Sequence, residues 1–142
     1  MRIWNSYGGS MFKIMALDVG TKRIGIAISD YLHIIANRHS YIPRDVNSVK
    51  TIVNIAKENN VKKIIIGVPY NMDGTQGSQA QDCIDFGGEI QGFEIVFEDE
   101  RLTSETAEEN LRERKINFRK EKGLVDMESA GIILEQYLSR NN

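Results

Sequence analysis

Short apolar runs broken by turn residues dominate the first half of the chain. FKIMAL (Phe12–Leu17) is mostly apolar and stops at Asp18, as a buried strand does. Asp18-Val19-Gly20-Thr21 has turn chemistry, with Gly20 able to take positive φ. RIGIAIS then alternates, with Ile24, Ile26 and Ile28 facing one way and Gly25, Ala27 and Ser29 the other. That period of two predicts a strand in a hairpin with the first, and Arg38 to Ile42 adds a third. From Asn47 to Asn59 the period becomes helical, with Val49, Ile52, Val53 and Ala56 on one face. KKIIIGVP reads as another buried strand, and the Gly/Asn/Asp-rich loop YNMDGTQGS leads to a helix near Ala80–Phe86. FEIVFEDE alternates to a strand end near Asp99, and Thr103 or Ser104 caps the next helix. A last helix, Asp126–Ser139, carries a stripe of Ala130, Ile133, Leu134, Tyr137 and Leu138.

The order β-β-β-α-β-α-β-α-α implies an antiparallel meander followed by strands that return through helices and lie parallel to the first. The fold class is α/β, with a mixed sheet flanked by helices. Met1–Ser10 lacks this patterning and is expected to be a disordered extension outside the core, leaving residues 11–142 as one domain. The 142 residues are 41% hydrophobic and 27% charged, proportions that fit a globular chain. No apolar run approaches the ~18 residues that cross a bilayer, and the opening residues lack the apolar stretch of a secretory signal. Cys83 is the only cysteine, which excludes an internal disulfide; with only His33 and His39 as imidazoles, the composition argues against a closed structural zinc centre too. A cytoplasmic location follows as the expectation. Cys83 reads as a small core residue, and the two histidines have no visible partner.

The net charge of -2 argues against a protein that coats nucleic acid nonspecifically. Charge is nevertheless uneven: Arg112, Arg114, Lys115, Arg119, Lys120 and Lys122 face only Glu113 and Glu121. Such a strip is either a solvated helix end or a grip for phosphate.

Sites in open α/β sheets form at the carboxyl ends of parallel strands. Here those ends fall at Asp18, at the loop from Pro69 to Gly74, and at Asp99-Glu100-Arg101. Asp126 shares the sheet-facing phase of Ala130 and Ile133, although standing alone it would read as an N-cap. Carboxylates meeting at one rim repel one another and call for a cation; an oxygen-only cluster suits Mg²⁺ or Mn²⁺. Two such ions can drive phosphodiester hydrolysis.

ALDVGTKRIGIAISD, IIIGVPYNMDGTQGSQA, the DERLTS stretch and VDMESAGIILEQYL, in that order, closely resemble the YqgF (RuvX-like) family of pre-16S ribosomal RNA nucleases, related to Holliday-junction resolvases. The resemblance spans Met11 to Leu138 and implies a ribonuclease H-like fold with metal-dependent acidic catalysis. By motif it makes Asp18, Glu100 and Asp126 the catalytic acids and metal ligands, with Asp99 a neighbouring candidate. Gly67, Pro69, Asn71, Gly74 and Thr75 match a substrate-facing loop. Lys22, Arg23 and Arg101 then stand where they could meet phosphate, and Arg112, Arg114, Arg119 and Lys120 could follow a nucleic-acid backbone. Tyr70 either stacks on a base or packs half-buried in its loop.

The implied activity is hydrolysis at the 5′ end of pre-16S rRNA during ribosome biogenesis, with structured RNA as the partner. The alternatives are a DNA-junction resolvase, an actin-like nucleotide-binding protein and a noncatalytic RNA-binding factor. DVGT resembles the first phosphate loop of the actin-like ATPases, but a second Asp-x-Gly is missing at Asp99-Glu100-Arg101.

Overall fold

Five strands form one mixed sheet in the computed structural model, which describes residues 3–4, 10–100 and 103–141, with side chains over 11–100 and 106–141. They are β1 (Lys13–Val19), β2 (Arg23–Ser29), β3 (Ala36–Pro43), β4 (Val61–Val68) and β5 (Glu94–Asp99), in the spatial order β3-β2-β1-β4-β5. β1, β2 and β3 pair antiparallel, while β4 and β5 continue parallel to β1. The helices are α1 (Ser48–Glu58), α2 (Ser78–Gly88), α3 (Thr103–Glu113) and α4 (Gly123–Arg140). This is the expected meander followed by parallel returns. Ahead of it, Ile3–Trp4 pairs antiparallel with Ser10–Met11.

Strand alternation sorts the core into two layers. Met15, Leu17, Ile24, Ile26, Ile64 and Ile66 pack with Ile52 and Ala56 of α1 and Cys83 and Phe86 of α2. Ile14, Ala16, Ala27 and Ile65 face Ala130, Ile133, Leu134, Tyr137 and Leu138 of α4, the stripe expected from the sequence. Cys83 is fully buried, as expected. Among the described residues no helix is long and apolar enough to cross a membrane.

Four local expectations change. β1 runs on to Val19, so Asp18 lies inside the strand rather than in the turn after it. Gly20 does not take positive φ; it is glycine because a Cβ there would stand 2.8 Å from the Arg23 carbonyl that its own N–H bonds. α4 begins at Gly123, which places Asp126 in its first turn and makes Lys122 the N-cap, without a side-chain cap bond. His33 does have a partner, because its Nε2 lies 2.7 Å from the Phe12 carbonyl oxygen.

Candidate functional site

Asp18 stands between two glycines. In the antiparallel register it pairs with Gly25 of β2. On its other side, Asp18 and Gly67 each follow by one residue the parallel pair Leu17–Ile66. Alternation puts Asp18 on the α4 face with Ile14 and Ala16. Both glycines leave room for an acid-bearing segment. A Cβ on Gly25 would overlap the Asp126 carbonyl and come within 2.7 Å of the Met127 nitrogen. A Cβ on Gly67 would lie 2.8 Å from the carboxyl carbon and Oε2 of Glu100. The Glu100 N–H donates to the Val68 carbonyl at 3.2 Å, tying the end of β5 to the end of β4. Bare Cα atoms therefore let the first turn of α4 and the Glu100 carboxyl close on either side of Asp18.

The electrostatics follow from that closeness. Burial, then the Asp126 charge, pushes Asp18 up from 3.8 to about 7. Burial, then Asp18 and Asp99, pushes Glu100 up from 4.5 to about 9. Burial also raises Asp126, against the lowering effect of Arg23, whose Nε donates to Asp126 Oδ2 at 2.9 Å. Asp18 thus interacts with both other acids. Asp99, an exposed residue, follows Glu98 on the alternate side of β5, while Glu100 is buried and interacts with Asp18. Among the described residues, no three His, Cys, Asp or Glu side chains stand close enough to form a ready-made metal cage. The donor chemistry still fits a hard divalent cation, since the donors are carboxylate oxygens whose ionisation is disfavoured by burial and, for Asp18 and Glu100, by neighbouring acids. Joint ligation would require the carboxylates to draw together, Asp126 while also answering Arg23.

The remaining candidates divide by place. Lys22 is exposed on the β1–β2 turn, and its carbonyl accepts from the Arg44 N–H at 2.8 Å. Asn71, Gly74 and Thr75 close an exposed loop on itself. Asn71 N–H reaches the Thr75 carbonyl at 2.9 Å, Gly74 has φ 87, and Asn71 Nδ2 donates to Thr75 Oγ1 at 2.9 Å. Tyr70 is half-buried against the core, as loop aromatics usually are. Arg101 lies outside the described residues. Arg112 pairs with Glu108 at 3.5 Å, and Arg114 lies 3.9 Å from Glu128. Arg119 and Lys120 are exposed. Arg119 also lines an open groove of about 400 Å³ that reaches Arg23 and Asp126, so the basic segment extends to the acid site.

Sequence reasoning missed three features. Buried Glu128 receives Arg38 Nε at 2.6 Å and Nη2 at 3.1 Å, and no local pattern joins residues 90 positions apart. Buried Glu98 pairs with Arg140, and its Oε2 has no hydrogen-bond partner among the described residues. Phe118 lines the groove beside Arg119 and Lys122; an aromatic inside a basic strip was the available signal.

Comparison with known proteins gives the chain its relatives. A relative from Clostridioides difficile, named "Putative pre-16S rRNA nuclease", is 40% identical over 89% of this chain and 93% of its own length. Relatives of the same name from Crocosphaera subtropica and Caldanaerobacter subterraneus are each 42% identical over 89% of this chain, and over 92% and 95% of theirs. The Fowlpox virus resolvase, solved with Holliday junction DNA, superposes with a TM-score of 0.58 at 12% identity, covering 92% of this chain and 99% of that one, which supports the resolvase-type, ribonuclease H-like fold. The signature of the RuvX family, described as Holliday junction resolvase, matches residues 12–140, and with relatives this similar along nearly its whole length the chain belongs to that family.

Proposed function

We propose that this protein is a metal-dependent nuclease that hydrolyses phosphodiester bonds, with the 5′ end of pre-16S rRNA as its substrate and ribosome biogenesis in the cytoplasm as its setting. The observation that carries the reading is Asp18, flanked by two glycines over which Asp126 and Glu100 close. Drawn together, the three carboxylates would hold Mg²⁺ or Mn²⁺, which when bound would supply an activated water and neutralise charge on the leaving oxygen. Asp18, from the centre of the sheet, would be held as a ligand together with Glu100 and Asp126. Arg23 holds Asp126 in place and, with Lys22 and Arg101, meets the reacting phosphate. Arg112, Arg114, Arg119 and Lys120 bind the strand backbone beyond, and Asn71, Gly74 and Thr75 present their loop to substrate. Residues 11–142 make up the nuclease domain.

The RNA reading rests on the names of relatives about 40% identical to this chain. A second reading, resolution of four-way DNA junctions, rests on the family's description. A cleavage assay distinguishes them: a pre-16S RNA fragment and a four-way DNA junction, each with Mg²⁺ or Mn²⁺, wild type against Asp18→Asn. Cleavage of the RNA that disappears in Asp18→Asn is the expected result. Cleavage of the junction alone favours the resolvase, and cleavage that survives Asp18→Asn removes the acid site from the reaction.

A further inference from the structure

The groove beside the acids has a composition that phosphate binding alone does not explain. Phe118 and Val125 line it with Arg119 and Lys122, and it opens at Arg23 and Asp126. Its volume of about 400 Å³ falls within the range of small-ligand sites. Arg23 is engaged by Asp126, and Glu108, the other carboxylate on the wall, is engaged by Arg112. Arg119 and Lys122 have no ion pair among the described residues. Phe118 also borders a second hollow of about 300 Å³, lined by Arg112, Ile116, Asn117 and Arg119. The Arg112 guanidinium lies 5.8 Å from the Phe118 ring centroid, within cation–π range, and helps fix the ring. A fixed, half-buried aromatic, an apolar neighbour and two uncommitted cations form a platform for one flat ring and its phosphate.

We propose that this groove takes the base of an unpaired nucleotide, stacked on Phe118, with its phosphate held by Arg119 and Lys122. The proposal rests on the nuclease reading above and deepens it: the strand next to the reacting phosphate is single-stranded there. A paired base is already stacked in its helix and cannot offer its face to a side chain, whereas an unpaired base can.

The test is equilibrium binding in EDTA of a labelled twelve-nucleotide single-stranded RNA and of the same RNA made abasic. Wild type binds the base-bearing strand more tightly. Phe118→Leu weakens that strand about tenfold and leaves the abasic strand unchanged; Phe118→Tyr restores the difference. Phe118→Trp adds a second tryptophan to a chain whose sequence has one, Trp4, and the added fluorescence is quenched by the base-bearing RNA only. Equal binding of both strands by wild type, or equal losses for both strands in Phe118→Leu, would overturn the stacking site. A parallel cleavage assay in Mg²⁺ separates the two readings. Cleavage by wild type alongside RNA binding that does not depend on Phe118 overturns the groove alone. Phe118-dependent base binding without cleavage overturns the nuclease reading and leaves the groove standing.

Discussion

Gly25 of β2 lies directly beneath the backbone of Asp126, so close that a methyl group on the strand residue would overlap the helix residue's carbonyl. Backbone cannot swing aside as a long side chain can. Gly25→Ala should therefore push the start of α4 off the sheet, costing about 1–3 kcal/mol and separating Asp126 from Asp18. Gly88→Ala is the control, since a Cβ there meets nothing within 4 Å. Denaturant titration of both variants checks this, and a Gly25→Ala protein as stable as wild type would refute the close approach.

The raised carboxyls make metal-free stability fall with pH. Asp18 has an ordinary value of 3.8 and a folded value of about 7; for Glu100 the values are 4.5 and about 9. A carboxyl raised on folding favours the folded state while protonated in it. That advantage is complete at pH values below the unfolded value and disappears as pH rises through the folded one. Thermal melts in EDTA should show the melting temperature dropping across this window. Asp18→Asn should flatten the drop and, at neutral pH, melt higher by about 3 °C.

Divalent metal should reverse the same loss. If the acids bind Mg²⁺ or Mn²⁺, saturating metal stabilises wild type, by about 2.7 kcal/mol at a hundredfold excess over Kd, and leaves Asp18→Asn unmoved. Calorimetry detects binding directly. Equal stabilisation of both proteins would place the ion elsewhere.

Breaking the Arg38–Glu128 pair should be costly and confined to stability. Glu128 is 2% exposed and receives two hydrogen bonds from Arg38. Arg38→Ala would leave a buried carboxylate with only Arg114, 3.9 Å away, at a cost of about 3–5 kcal/mol, and adding Glu128→Leu should recover much of that loss. A double-mutant cycle measures the coupling; additive effects would mean the two side chains do not depend on each other.

The basic segment should contribute unevenly to the salt dependence of nucleic-acid binding. Arg112 and Arg114 already lie near Glu108 and Glu128, whereas Arg119 and Lys120 have no ion pair among the described residues. Arg119→Gln and Lys120→Gln should each flatten the log–log salt slope by about 0.7–0.9, and Arg112→Gln by less. Identical slopes for all variants would return the segment to a solvated helix end.

Local patterns made the scaffold readable. Isoleucine alternation in β2 and the Ala130–Leu138 stripe of α4 carry their own period, and both appear where the period places them. Asp18 was readable because strand ends of parallel sheets gather sites. The start of α4 was not: its N-cap is Lys122, with no Ser, Thr, Asn or Asp to announce it, and the nearest acid, Asp126, looked like the cap instead. Nor could the purpose of Gly25 and Gly67 be understood from the chain, where Gly25 reads as a small strand residue and Gly67 as part of a loop motif although it lies inside β4. Their purpose depends on what crosses above them, Asp126 and Glu100, which are remote in sequence.

Cys83 of α2 lies against the end of β1, its Sγ 3.6 Å from the carbonyl of Val19, the residue after Asp18. Buried, and with its thiol pushed up to about 12, it is chemically silent in the closed protein. A thiol reagent can reach it only when α2 lifts from the end of β1. The lone cysteine is therefore a built-in clock for local opening beside Asp18, and its labelling rate times the breathing of that strand end without any engineered probe. A bound ion or nucleic-acid strand that braces the rim would make the clock run slow.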